Sequence, residues 1–232
     1  MNPTCDVLEQ RVAALEGGAA ALAVSSGQTA TAYALQNIAK AGDNIVSSTD
    51  LYGGTWNQLN NTFKDMGIEV RFVDPKDPNS FAEATDDKTR AYFAETLPNP
   101  KLEVFPIKEV SDIGRKFGIP LIIDNTAAPV LCKPFEHGAA VIVYSSTKYI
   151  GGHGDAMGGA VLGTTKGMEP VESEGLIHLG GTISPFNAWL IQRGLATLPI
   201  RMEAHEKNAM AVAVFLEQHS NVDAVLYPGL PS

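Results

Sequence analysis

The sequence predicts an α/β fold, a three-layer αβα sandwich built on a mostly parallel sheet. Two observations carry this. Apolar runs such as Leu121-Ile122-Ile123 and Val141-Ile142-Val143 are continuous rather than alternating, as in strands covered on both faces. Strand-like runs also alternate with helical segments, the pattern that lays helices over a parallel sheet.

The elements follow in order. Thr4 is read as the cap of a first helix, with Asp6 in its first turn and Leu8, Val12 and Leu15 at helical spacing, until Gly17-Gly18 ends it. Ala21 to Val24 reads as a strand, Gln28 to Lys40 as a helix and Asn44 to Ser47 as a strand. A helix from Trp56 to Met66 stops at Gly67, and Glu69 to Val73 and Arg90 to Ala94 are strands. Pro106 stands near the first position of a helix from Ile107 to Phe117, followed by strands over Pro120 to Ile123 and Ala140 to Tyr144. After Gly163 the character changes. Ser184-Pro185 opens a helix toward Arg193, and a longer one runs from about Arg201 to Gln218 with Met202, Ala209, Val212 and Leu216 on one face.

Composition narrows the function. The chain has 232 residues, 44% of them hydrophobic, enough for one large domain with a sizeable core. A net charge of -9 argues against nucleic acid and against a polybasic membrane anchor. Cys5 and Cys132 are far apart and form no CxxC, so neither a disulfide framework nor a zinc module is expected, and a reducing cytoplasm is the expected compartment. The five histidines show no ligand spacing, so no metal is expected. The first residues, MNPTCDVLEQ, do not read as a signal peptide. The uncharged stretch 17–39 is too rich in Ser, Gln, Thr and Asn to enter lipid readily.

Ligands of an open parallel sheet bind beyond the carboxyl ends of its strands. Three of those ends carry chemistry. Ser25-Ser26-Gly27-Gln28 leads into a helix, whose N-terminal N–H groups and dipole favour an anion. Neither GxGxxG nor GxxxxGK[ST] is present, so dinucleotide or triphosphate binding is not supported. Asp124 ends an apolar strand and needs a cationic or N–H partner there. Lys148 follows the next strand within Tyr144-Ser145-Ser146-Thr147-Lys148-Tyr149, with Gly151-Gly152-His153-Gly154-Asp155 beyond it. A half-buried lysine in such flanks would be a better nucleophile toward a carbonyl. Ser145 and Thr147, two apart, would share a face of extended backbone and could serve one phosphate. Pyridoxal phosphate needs all three features: donors for its phosphate, a carboxylate for its ring nitrogen and a lysine for its aldehyde. Tyr52, after the second strand, is a candidate ring to stack on it.

These residues resemble those of the Cys/Met-metabolism family of pyridoxal-phosphate enzymes, which have the aspartate-aminotransferase fold (fold type I). The resemblance runs along essentially the whole chain, through ALEGG, SSGQ, DLYGGT, ETLPNP, IIDNT, SSTKYIGGHGD, SPFNAWL and YPGL. It implies that Lys148 is the Schiff-base lysine and proton carrier and Asp124 the partner of the ring nitrogen. Gly27 and Gln28 backbone N–H groups, with the Ser145 and Thr147 hydroxyls, would form the phosphate cradle. Tyr52 would be the stacked ring and an aid to leaving-group departure. Asn99 would meet the cofactor's phenolic oxygen, and Glu95 matches a polar position nearby. The resemblance further implies a small amino-acid substrate and a homotetramer of dimers that share active sites.

Residues 1–226 then read as the pyridoxal-phosphate-binding large domain, and 227–232 as the start of a linker to a C-terminal small domain absent from this chain. The family also carries a Tyr-x-Arg just before the stretch that begins here at Asn2-Pro3, and an arginine in the small domain that grips the substrate carboxylate. The implied chemistry is replacement or elimination at the γ-carbon of a homoserine derivative. Tyr52-Gly53-Gly54-Thr55-Trp56-Asn57-Gln58 resembles the sulfhydrylases, whereas methionine γ-lyases usually carry cysteine where this chain has Gly54. His153-Gly154-Asp155 and the short run from there to Ser184-Pro185 look more like the lyases. The expectation is an O-acetyl- or O-succinylhomoserine sulfhydrylase, with a methionine or cystathionine γ-lyase as the alternative. Outside that class stand a non-catalytic cofactor-binding fragment and a nucleotide-binding doubly wound domain, the latter without its glycine fingerprint.

Overall fold

The computed structural model describes residues 2–230. Pro231 and Ser232, the end of the expected linker, lie outside the described residues.

Helix α1 (Pro3–Glu16) is capped one step earlier than expected, since Asn2 rather than Thr4 supplies the side-chain acceptor and Thr4 donates its N–H to it. Pro3 holds the first helical position, and Gly17 ends the helix in the left-handed conformation with φ 69°. Then follow β1 (Ala20–Val24), α2 (Gly27–Gln36), β2 (Asn44–Ser48), α3 (Gly53–Asn57) with a π-helical continuation (Gln58–Phe63), and β3 (Glu69–Val73). Helix α4 (Asn79–Glu83) is short. After it come β4 (Thr89–Glu95), α5 (Ile107–Phe117), β5 (Leu121–Asp124), a 3-10 turn at Pro134–His137 and β6 (Val141–Tyr144). Strand β7 (Gly159–Gly163), which the sequence reading passes over, precedes α6 (Thr165–Pro170) and its π-helical continuation Val171–His178. Helix α7 (Pro185–Leu195) is capped by Ser184, whose side chain accepts from the Asn187 N–H, and α8 (Leu198–Glu217) starts three residues before the expected point.

Seven strands form one sheet in the order β1-β7-β6-β5-β4-β2-β3. β3, β2, β4, β5 and β6 run parallel, while β7 pairs antiparallel with both β6 and β1. Because side chains alternate across a strand, each strand feeds two cores. Leu22, Val24, Phe93, Ile122 and Val143 pack under α2, the segment after α3, and α6. On the other face Ala21, Ala23, Ile142 and Tyr144 meet α1, α7 and α8, and Tyr92, Ala94, Leu121 and Ile123 meet α4 and α5. This double coverage explains the continuous apolar runs, and it confirms the three-layer αβα reading with a mostly parallel sheet. Each of the larger side chains fully withdrawn from water, such as Phe63, Phe93 and Ile122, contributes about 1.5–3 kcal/mol.

The long helix differs from its predicted face. Leu198, Met202 and Ala213 are its buried residues, and Val212 is exposed. The reason is position: only the first half of α8 lies against the second core cluster, through Leu198 and Met202.

Candidate active site

The carboxyl ends of β1, β4, β5 and β6, with the loop before α3, surround one open cavity of about 720 Å³, within the range of small-molecule sites. Every residue singled out from the sequence lines it: Gly27, Gln28, Tyr52, Glu95, Asn99, Asp124, Ser145, Thr147 and Lys148.

Its anion-binding corner is formed by two loops in near contact. Ser26 caps α2 by accepting from the Thr29 N–H at 3.1 Å. The N–H groups of Gly27 and Gln28 at the head of the ten-residue helix have no protein acceptor among the described residues. A Cβ on Gly27 would sit 2.5 Å from the Ser145 Cβ, so only glycine lets the β1 loop come this close to the β6 loop. On the other side, a Cβ on Gly159 would lie 2.1 Å from the Ser26 carbonyl. Gln28 reaches across to α3, its side-chain amide donating to Thr55 Oγ1 at 3.0 Å.

The acidic corner is set by strand register. Glu95 and Asp124 are direct partners of the parallel β4–β5 pair. Glu95 is buried, accepts from the Tyr52 N–H at 2.7 Å, and is pushed up to about 8. Burial is the main cause and the Asp124 charge adds to it, while the Tyr52 and Asn99 N–H bonds pull the other way. Asp124 is likewise raised by burial, opposed by its bonds from Thr126, whose N–H donates to Oδ1 at 2.9 Å. Two neighbouring carboxylates with no cation among the described residues fit a ligand that brings positive charge to this edge.

Lys148 departs from expectation. It is exposed on the cavity wall rather than half-buried. The segment around it is a chain of turns, so Ser145 and Thr147 do not share an extended face. Thr147 Oγ1 donates to the Gly158 carbonyl and accepts from the Gly158 N–H, both at 3.1 Å, and a ligand would have to share that hydroxyl. Ser145 lines the cavity, and its N–H donates to Thr126 Oγ1 at 2.7 Å. Tyr52 stands at the rim, half exposed, with its ring folded over Gly54, where a Cβ would be 2.4 Å from the Tyr52 ring edge.

Below the cavity lies a buried polar chain. Asn125 donates to the Tyr144 hydroxyl at 2.6 Å and accepts from Thr96 at 2.8 Å, and the Tyr144 hydroxyl donates to buried Glu16, itself raised by burial. Sequence reasoning missed this chain, and with it Thr126, Thr55 and Arg201. Thr126 had a readable signal, since a residue two beyond Asp124 is where an Asx turn places its donor. Arg201 had none, because two of its carbonyl partners, on Tyr149 and Ile150, lie some fifty residues earlier in the chain.

A family profile described as Cys/Met metabolism PLP-dependent enzyme matches residues 1–232. The chain belongs to this family. It is 47% identical over 270 aligned positions to the O-acetyl-L-homoserine sulfhydrylase of Leptospira meyeri, covering 99% of this chain and 61% of that one. It is 42% identical to the homocysteine/cysteine synthase of Saccharomyces cerevisiae (100% and 60% covered), and 44% identical to the L-methionine gamma-lyase of Porphyromonas gingivalis (100% and 59%). The chain thus spans about three fifths of the length of these relatives. Among solved structures, a Campylobacter jejuni protein assigned as an O-acetylhomoserine (thiol)-lyase superposes with a TM-score of 0.95 at 37% identity, covering 100% of this chain and 66% of that one. That structure holds N'-pyridoxyl-lysine-5'-monophosphate at its position 205. The metB structure from Corynebacterium glutamicum gives 0.95 at 39%, covering 99% and 60%. The family's fold type I and its dependence on pyridoxal phosphate agree with the residues gathered here. A glycine-walled corner with free N–H groups, an uncompensated carboxylate pair and an exposed lysine face one cavity, and this donor set fits the cofactor.

Proposed function

We propose that this domain binds pyridoxal phosphate and belongs to an enzyme performing γ-replacement on an O-acetyl- or O-succinylhomoserine, yielding homocysteine. The observation that carries the cofactor part is the convergence of Lys148, Asp124 and the unpartnered Gly27 and Gln28 N–H groups on one cavity. When bound, the cofactor supplies an electron sink for charge developing beside the substrate amine. Lys148 Nζ would anchor the aldehyde and, when free, would take and return protons at that nitrogen. Asp124 would keep the ring nitrogen protonated. Gly27, Gln28, Ser145 and Thr147 would hold the phosphate, with Thr147 sharing its hydroxyl with Gly158. Asn99 would meet the phenolic oxygen, and Tyr52 would cover the ring and aid departure of the leaving group.

The sulfhydrylase and synthase relatives support replacement. One observation favours elimination, the methionine γ-lyase reading. The alignments with the two sulfur-transferring relatives run over 270 and 266 positions against 232 residues here, so some thirty or more of their positions have no counterpart in this chain. The alignment with the lyase runs over 234. The test is a pair of assays on the full-length protein. Homocysteine from O-acetylhomoserine and sulfide supports replacement, while α-ketobutyrate and methanethiol from methionine alone would overturn it. Borohydride reduction followed by peptide mapping should leave the cofactor label on Lys148, and a colourless, unlabelled protein would end the cofactor reading.

No helix among the described residues is long and apolar enough to cross a membrane. A cytoplasmic homotetramer of dimers sharing active sites, without nucleic-acid or membrane partners, is the assembly we propose, and sedimentation of the full-length protein tests it.

A further inference from the structure

Arg201 lines the same cavity and would ordinarily be read as an anion-binding residue. Its hydrogen bonds say otherwise. Nε donates to Thr197 Oγ1 at 3.1 Å, and Nη1 to the Tyr149 carbonyl at 2.7 Å. Nη2 donates to the carbonyls of Ile150 at 3.3 Å and Gly194 at 2.8 Å. Four of the five guanidinium donors are therefore used. No carboxylate pairs with Arg201 among the described residues. Two of its three carbonyl partners belong to the two residues that follow Lys148.

The surroundings are shaped for this contact. Gly152 has φ 74°, and a Cβ there would lie 2.3 Å from Nη1 of Arg201. A Cβ on Gly194 would fall 1.9 Å from the Gly151 carbonyl, so α7 presses on the same turn without a side chain between them. The turn closes on itself through Gly152 N–H to the Lys148 carbonyl at 2.8 Å and Gly151 N–H to the Ser146 carbonyl at 2.9 Å. One helical turn beyond Arg201, His205 packs edge-on against Tyr149 with ring centroids 5.4 Å apart.

We infer that Arg201 is the positioning residue for Lys148: its guanidinium bolts the turn after the lysine to α7 and α8, leaving the lysine side chain free to move from a fixed backbone. This rests on the reading of Lys148 as the cofactor-anchoring residue. In this role Arg201 touches no reacting atom and binds no substrate. A lysine in its place presents three donors from a single nitrogen and cannot span three carbonyls in a plane.

The test compares wild type, Arg201→Met and Arg201→Lys in the full-length protein loaded with pyridoxal phosphate. Hydrogen exchange at Gly151 and Gly152 should accelerate tenfold or more in R201M and less in R201K. The cofactor dissociation constant should rise about tenfold in R201M, and the pH at which the bound cofactor changes colour should shift. Added guanidinium at millimolar concentration should restore part of both. Circular dichroism identifies a variant that has not folded, in which case R201K carries the same readings. Folded variants with wild-type exchange, affinity and pH profile would overturn the inference, whatever their thermal stability. A wild type that leaves no label on Lys148 would sink the cofactor reading and this inference with it, whereas a labelled wild type with an indifferent R201M sinks the inference alone.

Discussion

The two walls of the cavity are held in different ways. The acidic wall is part of the sheet. Glu95 and Asp124 end adjacent parallel strands, and their separation follows from the β4–β5 register. The lysine wall is a loop, and its shape comes from contacts between distant segments: Thr147 with Gly158, Gly194 against Gly151, Arg201 across the carbonyls of Tyr149 and Ile150. The difference matches the roles proposed for the two groups. A carboxylate that tunes a ring nitrogen has to stay still in a low-dielectric place. An amine that anchors a ligand and then carries protons has to move, so it stands exposed on a backbone fixed from outside.

The sharpest way to break this contrast is at the mobile group. Lys148→Ala should abolish borohydride-fixed label and lower turnover by about 10³-fold or more, with little change in the urea midpoint, because an exposed side chain contributes little to the core. Activity within tenfold of wild type would mean that the moving amine lies elsewhere.

The next effect concerns the point where two strand-end loops meet. Gly27→Ala places a Cβ 2.5 Å from the Ser145 Cβ, and backbone stands on one side of that contact. Overpacking of this kind costs about 1–3 kcal/mol. Cofactor affinity should therefore fall by about tenfold or more in equilibrium titration, since relief must come from moving the two free N–H groups. Unchanged affinity would show that the corner is soft and does not bind the phosphate.

How much of this was legible beforehand follows from the same contrast. Residues on regular elements could be read from local signals. Helix α5 was bounded correctly from Ile107 to Phe117, with Pro106 before it, and the structure ends it at Gly118, whose φ is 70°. Asp124 at the end of an apolar strand, and the Gly27-Gln28 helix start, needed only pattern and turn chemistry. The lysine wall was legible in identity but not in state. Lys148 was expected half-buried because its flanks are apolar or hydroxylic, yet exposure depends on a turn shaped by α7 and α8, more than forty residues on. Strand β7, Gly-Ala-Val-Leu-Gly, was missed because two of its five residues are glycine and its burial is supplied by β1 and β6. The exposed Val212 lies in the half of α8 beyond the second core cluster, and α8 leaves that cluster after Met202, which periodicity alone does not report.

The polar floor beneath both walls offers a smaller test of whether they are independent. Tyr144→Phe removes the hydroxyl that donates to Glu16 and accepts from Asn125, leaving two buried groups short of a partner. A loss of about 1–3 kcal/mol is expected in urea unfolding. If the walls are held separately, hydrogen exchange at Gly151 and Gly152 should stay as in wild type while the amides around Asn125 exchange faster. Equal acceleration at both would show a single coupled unit.

The last and most graded test is the pH dependence set by Glu95. Its carboxyl is raised to about 8 in the folded chain, first by burial and then by the Asp124 charge, against an ordinary value of 4.5. Between those limits the folded cofactor-free protein holds a proton that the unfolded chain has released. The contribution is therefore complete below about 4.5 and is lost as pH rises through about 8. Stability of the cofactor-free protein should fall with rising pH across that window, by at most about 1.4 kcal/mol per unit for this one group. Glu95→Gln cannot ionise and can still accept from the Tyr52 N–H, so it should make the profile shallower, leaving the slope that the buried Asp124 and Glu16 contribute, without loosening Tyr52. Urea midpoints taken from pH 5 to pH 9 on both proteins decide it. A slope in Glu95→Gln as steep as in wild type would move the proton to another group and leave Glu95 without the tuning argued for it.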